Sequence, residues 1–308
     1  MTRECKGLFT FLATPTRHDG SIDLARLNEI ADDQIAAGVD GVTLFGSTGG
    51  IGLFAEEERK EAAASLVEHV AGRVPVMVGT GAMTTAEAIR LSHHAQQVGA
   101  DIVLVVPITY WLLNEDEIIG HYSAIASEVT LPVMLYNNPR LTGVDIVPAV
   151  VARLAQIPNI VAIKEAAPDL LRVAVLRRTV RGSMRVFAGR DVIAFEAMML
   201  GARDWASGIT NIVPEYCVKL YRLISLDKRD EACALWRAML PLVSFAMEKG
   251  LVRACHTSFE IGGRPIGAPR SPLRPLSAED ARTLGILISE LKRQPVEHTS
   301  TRQVAATV

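Results

Sequence analysis

One pattern recurs along this chain and limits what it can fold into: a short apolar or β-branched run, a turn, and then a segment with apolar residues at helical spacing. The runs occupy residues 7–13, 41–45, 75–78, 101–106, 132–136, 159–164, 185–188 and 204–206. They are too short for helices and too uniformly apolar for a sheet with one wet face, so they predict strands buried on both sides. The segments between them, for example 23–37, 56–70, 84–98 and 114–128, carry acidic residues in their first turns, as helices do. Eight such units over about the first 210 to 225 residues predict an α/β fold, a closed (β/α)8 TIM barrel rather than an open doubly wound sheet. The GxGxxG pattern after the first strand is absent, which removes the usual dinucleotide signal.

Beyond residue 226 the strand signal stops. Residues 227–248, 251–260 and 277–292 predict helices, divided by the Gly-, Pro- and Arg-rich stretch 261–276. The expected organisation is a catalytic barrel at 1–226, a C-terminal helical appendage at 227–294 and a frayed tail at 295–308. With 308 residues, 49% hydrophobic and 21% charged, the chain is long enough to build one large core. A net charge of -2 gives no basic excess, so neither nucleic acid nor an acidic membrane is an expected partner, and a small molecule is. No apolar stretch approaches the roughly 20 residues that span a bilayer, and Met-Thr-Arg-Glu-Cys-Lys is no signal-peptide start. The expectation is a cytoplasmic protein. Cys5, Cys217, Cys233 and Cys255 show no CxxC spacing and predict reduced packing residues rather than a disulfide frame or zinc site.

Barrel enzymes hold their chemistry where strands end, so the residues that close each run are the candidates. Lys164 closes the run Asn159-Ile160-Val161-Ala162-Ile163. An amine kept among apolar side chains is disfavoured as a cation, and its neutral form attacks carbonyls. The competing role is a structural ion pair with Glu165 or an acid on a neighbouring strand. Tyr136 closes the adjacent strand, where it is either a core aromatic or an acid and base within reach of the lysine. The turn Gly46-Ser47-Thr48-Gly49-Gly50 is either a tight loop or, with two hydroxyls and free N–H groups, a pocket for a carboxylate. His93 and His94 form the only adjacent histidine pair; lacking a carboxylate or cysteine at ligand spacing, they are expected on a solvated helix face, and no metal is expected.

Three strings, GSTGG at 46–50, LYNNP at 135–139 and VAIKEA at 161–166, resemble the dihydrodipicolinate synthase and N-acetylneuraminate lyase superfamily of Schiff-base aldolases in order and spacing. The resemblance runs from about Gly7 to the Pro269-Arg270-Ser271-Pro272-Leu273 region. It implies that Lys164 forms the Schiff base, Tyr136 relays protons, and Ser47 and Thr48 hold the 2-oxo acid carboxylate and pass protons. It also implies that Tyr110 is the aromatic donated across a subunit interface, in a homotetramer built as a dimer of dimers. Gly189 and Asp191 match the loop after the seventh strand, which lines the substrate pocket in relatives, and Ser207 and Asn211 match the loop after the eighth. No cofactor is implied.

Two departures narrow the substrate. Gly50 stands where the family usually has Glu, and Leu141 stands where the synthases carry the arginine of YNxPxRTG, with Arg140 one position earlier. A one-residue shift reverses side-chain direction in an extended segment, so Arg140 is not assigned that role and dihydrodipicolinate synthase activity is not the favoured one. The expected function is a lyase acting on a small 2-oxo acid such as pyruvate or a sugar-derived oxo acid. Cleavage, dehydration and deamination all remain open. The alternatives are a metabolite-binding relative without chemistry and a dihydrodipicolinate synthase.

Overall fold

The computed structural model describes residues 4–293, so the expected tail at 295–308 lies outside the described residues. Eight parallel strands, β1 (Leu8–Phe11), β2 (Gly41–Leu44), β3 (Val76–Gly79), β4 (Ile102–Val105), β5 (Val133–Asn137), β6 (Ile160–Glu165), β7 (Arg185–Ala188) and β8 (Asp204–Ser207), pair in sequence order and close β8 onto β1. The barrel expected from the eight-fold repeat is therefore present, with each strand inside or within one residue of its expected run.

The helices form where the sequence supplies both an apolar stripe and a start signal. Asp23 caps α1 (Leu24–Ala37), Glu58 reaches back to the Ala55 N–H ahead of α2 (Glu56–Val70), and Thr84 caps α3 (Thr85–Gln97). Asn114 and Glu117 satisfy each other's backbone N–H groups at the start of α4 (Glu115–Glu128). After β5 the connection divides into α5 (Pro139–Thr142) and α6 (Pro148–Leu154), each opened by a proline whose missing N–H costs nothing in a first turn. Next come α7 (Leu171–Val180), α8 (Ala194–Met199) and α9 (Pro214–Ser225).

The expected C-terminal helices are α10 (Arg229–Lys249), α11 (Leu251–Ile261) and α12 (Ala278–Lys292). Their apolar faces, including Met239, Cys255, Leu284 and Ile288, belong to the same buried cluster as the barrel. No described helix is long and apolar enough to cross a membrane. All four cysteines are free, and three of them are buried.

Two features of the barrel position the site. Side chains alternate along a strand, so Tyr136 and Lys164, which are in register on β5 and β6, turn into the barrel, while Asn137 and Glu165 turn out toward the helices. At the opposite end of the barrel, buried Asp204 accepts from Gly7 N at 2.7 Å and from Arg185 Nη2 at 2.7 Å, tying the residue before β1 and the start of β7 to β8.

Candidate active site

Lys164 is 4% exposed, and its Nζ lies 3.6 Å from the centre of the Phe11 ring and 4.2 Å from that of Tyr136. No hydrogen bond or ion pair holds Nζ among the described residues, so the structural ion pair considered from the sequence is not formed. Glu165 points the other way. Its carboxylate accepts from Asn137 Nδ2 at 3.0 and 3.1 Å and from Ala167 N at 2.6 Å. Asn137 also donates to Asp145, whose two oxygens are gripped by Arg172 at 3.0 and 2.9 Å. Burial pushes the Glu165 carboxyl up to about 7, against the lowering effect of those hydrogen bonds. Adjacent residues on one strand thus have separate tasks: Lys164 faces the cavity, and Glu165 locks the end of β6 to the loop after β5.

Tyr136 carries a directed hydroxyl. Asn138 Nδ2 donates to its oxygen at 2.9 Å, and Ser47 Oγ lies 3.2 Å away. Because the amide occupies a lone pair, the phenol proton is left to point at Ser47 or at a molecule in the cavity. Tyr136 and Asn138 share this face because they are two residues apart.

The turn that carries Ser47 and Thr48 leaves β2 through Phe45, an aromatic residue held at φ 59°, the left-handed region that glycine normally fills. Its ring is fixed against Phe54 and under the buried Arg59, which donates to Gly79 O at 2.9 Å and Gly81 O at 3.0 Å. At Gly46 a Cβ would enter the Phe11 ring, the same ring that lies against Lys164. The N–H groups of Ser47 and Thr48 make no hydrogen bond among the described residues, and Thr48 is a buried residue of the cavity lining. Two hydroxyls and two free N–H groups in one turn form an anion cradle.

These side chains line a cavity of about 450 Å³, a volume suited to a small metabolite. Gly189 lines it as well, and its lack of a side chain leaves space for the lysine: a Cβ there would sit 2.7 Å from Lys164 Cγ and 2.5 Å from Glu165 O. The outer wall is built by the α10–α11 junction, including Gly250, Leu251 and Arg253, together with Leu273. Arg140, Leu141 and Arg190 stand nearer the β5 and β7 loops.

Some residues singled out in the sequence are used differently. Asp191 touches the cavity but spends its carboxylate on support, accepting from Trp205 Nε1 at 3.0 Å, Gly208 N at 3.0 Å and Ile209 N at 3.1 Å. Burial raises its carboxyl above the ordinary aspartate range. Ser207 is fully buried beneath the loop, and Gly208 lines the cavity in its place. Asn211 clamps backbone, accepting from Ala13 N and donating to Phe11 O and Gly208 O. Tyr110 is 82% exposed, stacked edge-on against Trp111, and is not among the residues lining the cavity of its own chain.

Phe11, Asn138 and the α10–α11 wall were not singled out as site elements from the sequence. Only Asn138 had a signal there, the two-residue spacing from Tyr136. Among the described residues no group of three or more His, Cys, Asp or Glu is placed to hold a metal ion. His93 of the adjacent pair lies 3.3 Å from Glu128 on the next helix.

The family model for the dihydrodipicolinate synthetase family matches residues 4–291. The 4-hydroxy-tetrahydrodipicolinate synthase of Methylibium petroleiphilum is 38% identical over 88% of this chain and 93% of its own length. An Escherichia coli K12 protein with the provisional name 2-dehydro-3-deoxy-D-gluconate aldolase YagE is 33% identical over 93% of this chain and 97% of its own. The crystal structure of YagE in complex with pyruvate superimposes with a TM-score of 0.89 at 32% identity, covering 94% of this chain and 99% of that one. The 4-hydroxy-tetrahydrodipicolinate synthase of Methylacidiphilum fumariolicum SolV gives 0.91 at 32% identity over 94% and 97%. With the barrel, the inward lysine and tyrosine and the hydroxyl turn all in place, the chain belongs to the dihydrodipicolinate synthetase family.

Proposed function

We propose that this protein is a lyase that forms a Schiff base between Lys164 and a small 2-oxo acid, with pyruvate as the shortest substrate or product. The observation that carries this reading is an unpaired, buried lysine amine facing a cavity whose floor holds a directed phenol and an anion cradle. A buried amine without a hydrogen-bond or ion-pair partner is costly, and a binding protein has no use for it. The N–H groups and hydroxyls of Ser47 and Thr48 hold the substrate carboxylate, which turns the ketone carbon toward Nζ, an orientation effect. Nζ bonds to C2 as the ketone oxygen takes up protons and leaves as water, and the iminium that results is an electron sink. Tyr136, supplied with protons through Ser47, is the acid and base for these transfers, a contribution of about 10² to 10⁴ in rate.

From the iminium, cleavage between C3 and C4 releases an aldehyde and leaves an enamine. Loss of a C3 proton followed by departure of a hydroxyl or amine eliminates water or ammonia instead. Among these outcomes dihydrodipicolinate synthesis is not favoured, because the position of the synthases' arginine holds Leu141, 66% exposed at the cavity mouth. In place of metal or organic cofactor, the lysine carries the covalent chemistry. The protein works in the cytoplasm, in keeping with four unpaired cysteines, as a homotetramer in which Tyr110 crosses a dimer interface. The exposed run Tyr110, Trp111 and Leu112 supports that assembly.

Intact-mass analysis after incubation with pyruvate and sodium borohydride tests the chemistry. A reduced pyruvate adduct mapping to Lys164, and absent in Lys164→Ala, is expected. No adduct with pyruvate or with hydroxyproline- and sugar-derived 2-oxo acids would identify the chain as a metabolite binder that has lost the reaction.

A further inference from the structure

Arg59 is an unusual residue to find in the interior. It stands near the start of α2, is 4% exposed and makes no ion pair among the described residues. Glu56 and Glu87 act on it only through space, and Glu56 is engaged by Lys60 at 2.8 Å and by Arg90 at 2.7 Å. Its buried Nε finds no acceptor among the described residues, and burial draws the guanidinium down to about 10. A buried cation with one donor unmet costs stability that an apolar side chain of like length would not, so packing gives no reason for an arginine here. No step of the Schiff-base chemistry uses it either, and it does not line the cavity.

What Arg59 touches lies where strands end. Nη2 donates to Gly79 O, at the close of β3, at 2.9 Å and to Gly81 O at 3.0 Å, and the guanidinium carbon stands 5.8 Å over the centre of the Phe45 ring. The backbone of Phe45 lies so close to Gly79 that a Cβ on Gly79 would collide with Phe45 O, and a Cβ on Gly81 would collide with Val106 O just past β4. Arg59 thus holds Phe45 twice, by the face of its ring and through the strand end on which its carbonyl rests. Phe45 has φ 59°, a conformation that a bulky side chain keeps only where its surroundings hold it, and the Ser47-Thr48 turn departs from it. We propose that Arg59 is a positioning residue for the anion cradle: by fixing Phe45 in the left-handed conformation it aims the Ser47 and Thr48 N–H groups and hydroxyls at the 2-oxo acid carboxylate. This rests on the Schiff-base reading and adds to it a residue that sets carboxylate affinity from outside the cavity. Arginine suits the task because one planar group donates hydrogen bonds at its edge and stacks with its face.

The test compares pyruvate with methyl pyruvate, the same ketone without the anionic carboxylate. Half-saturating concentrations for borohydride trapping on Lys164 are read by intact mass in the unsubstituted protein, in Arg59→Met and in Phe45→Leu. The second variant keeps the two carbonyl contacts of Arg59 and removes the ring beneath it, and thermal melting checks that both fold. In both, the half-saturating pyruvate concentration is expected to rise at least about tenfold, the scale of one charge-assisted hydrogen bond, while that of methyl pyruvate moves less than about twofold. A purely structural role would shift the two ketones together, and that result would overturn the positioning role. So would an unchanged pyruvate value in a variant that melts cooperatively. If Arg59→Met does not fold, Phe45→Leu decides by the same two readings. Absence of any pyruvate adduct in the unsubstituted protein would instead remove the Schiff-base reading itself.

Discussion

Replacing Gly189 by alanine tests whether the cavity is shaped around the lysine. The new Cβ would lie 2.7 Å from Lys164 Cγ and 2.5 Å from Glu165 O. Carbon atoms in ordinary contact stand about 3.5 to 4.0 Å apart, so roughly 0.8 Å of overlap has to be relieved at the lysine stem. The carbonyl cannot give way freely, because it accepts the ladder hydrogen bond from Gly189 N at 2.8 Å. The lysine moves instead, and Cγ is only three bonds from Nζ. A misplacement of about 1 Å costs on the order of 10²-fold in rate, and overpacking costs about 1 to 3 kcal/mol of stability. The assay is the initial rate of pyruvate trapping by borohydride, with thermal melting as the check on folding. Gly120→Ala is the control, since that exposed helical position has nothing within 4 Å of a new Cβ. Gly189→Ala that folds and traps pyruvate at the unsubstituted rate would refute the claim that Gly189 exists to make room for Lys164.

Other perturbations separate chemistry from support. Tyr136→Phe keeps the ring against Lys164 and removes the hydroxyl; turnover is expected to drop about 10² to 10⁴-fold while the melting temperature changes little, measured by steady-state kinetics and calorimetry. Asn138→Ala leaves the phenol in place but undirected, so a smaller loss confined to turnover is expected, with half-saturation by pyruvate nearly unchanged. Glu165 supplies a pH signature. Its folded carboxyl is raised from 4.5 to about 7, so the folded state binds this proton more tightly than the unfolded chain does. That stabilisation is complete below about pH 4.5 and is lost as pH rises through about 7, roughly 3 kcal/mol in all. Melting temperatures of the unsubstituted protein and of Glu165→Gln, taken from pH 4.5 to 8, are expected to show the steeper decline only in the former; parallel curves would sink the assignment.

The strand ends and the helical segments were legible because local spacing encodes them. Lys164 and Tyr136 share the inner face because residues in register on adjacent parallel strands point the same way, and Ser47 and Thr48 joined them because chemistry gathers where barrel strands end. Asp191 illustrates the opposite case. The family resemblance placed it in the loop that lines the pocket, and it does line the cavity, yet its carboxylate turns to the indole of Trp205 and the N–H groups of the β8 loop. No local pattern announces that choice, because the partners are 14 to 18 residues away and arrive only when β7 and β8 pair.

By itself, the order of apolar runs and amphipathic segments determined the barrel, since strands buried on both faces have few ways to be covered, and the alternation determined which side chains face its centre. Only closure of the ring decided that Phe11 lies under Lys164, that the α10–α11 junction walls the cavity, and that Arg140 and Arg190 line it. Those contacts join residues far apart in the chain, and their energies belong to the three-dimensional arrangement, where burial is set, rather than to any stretch of sequence.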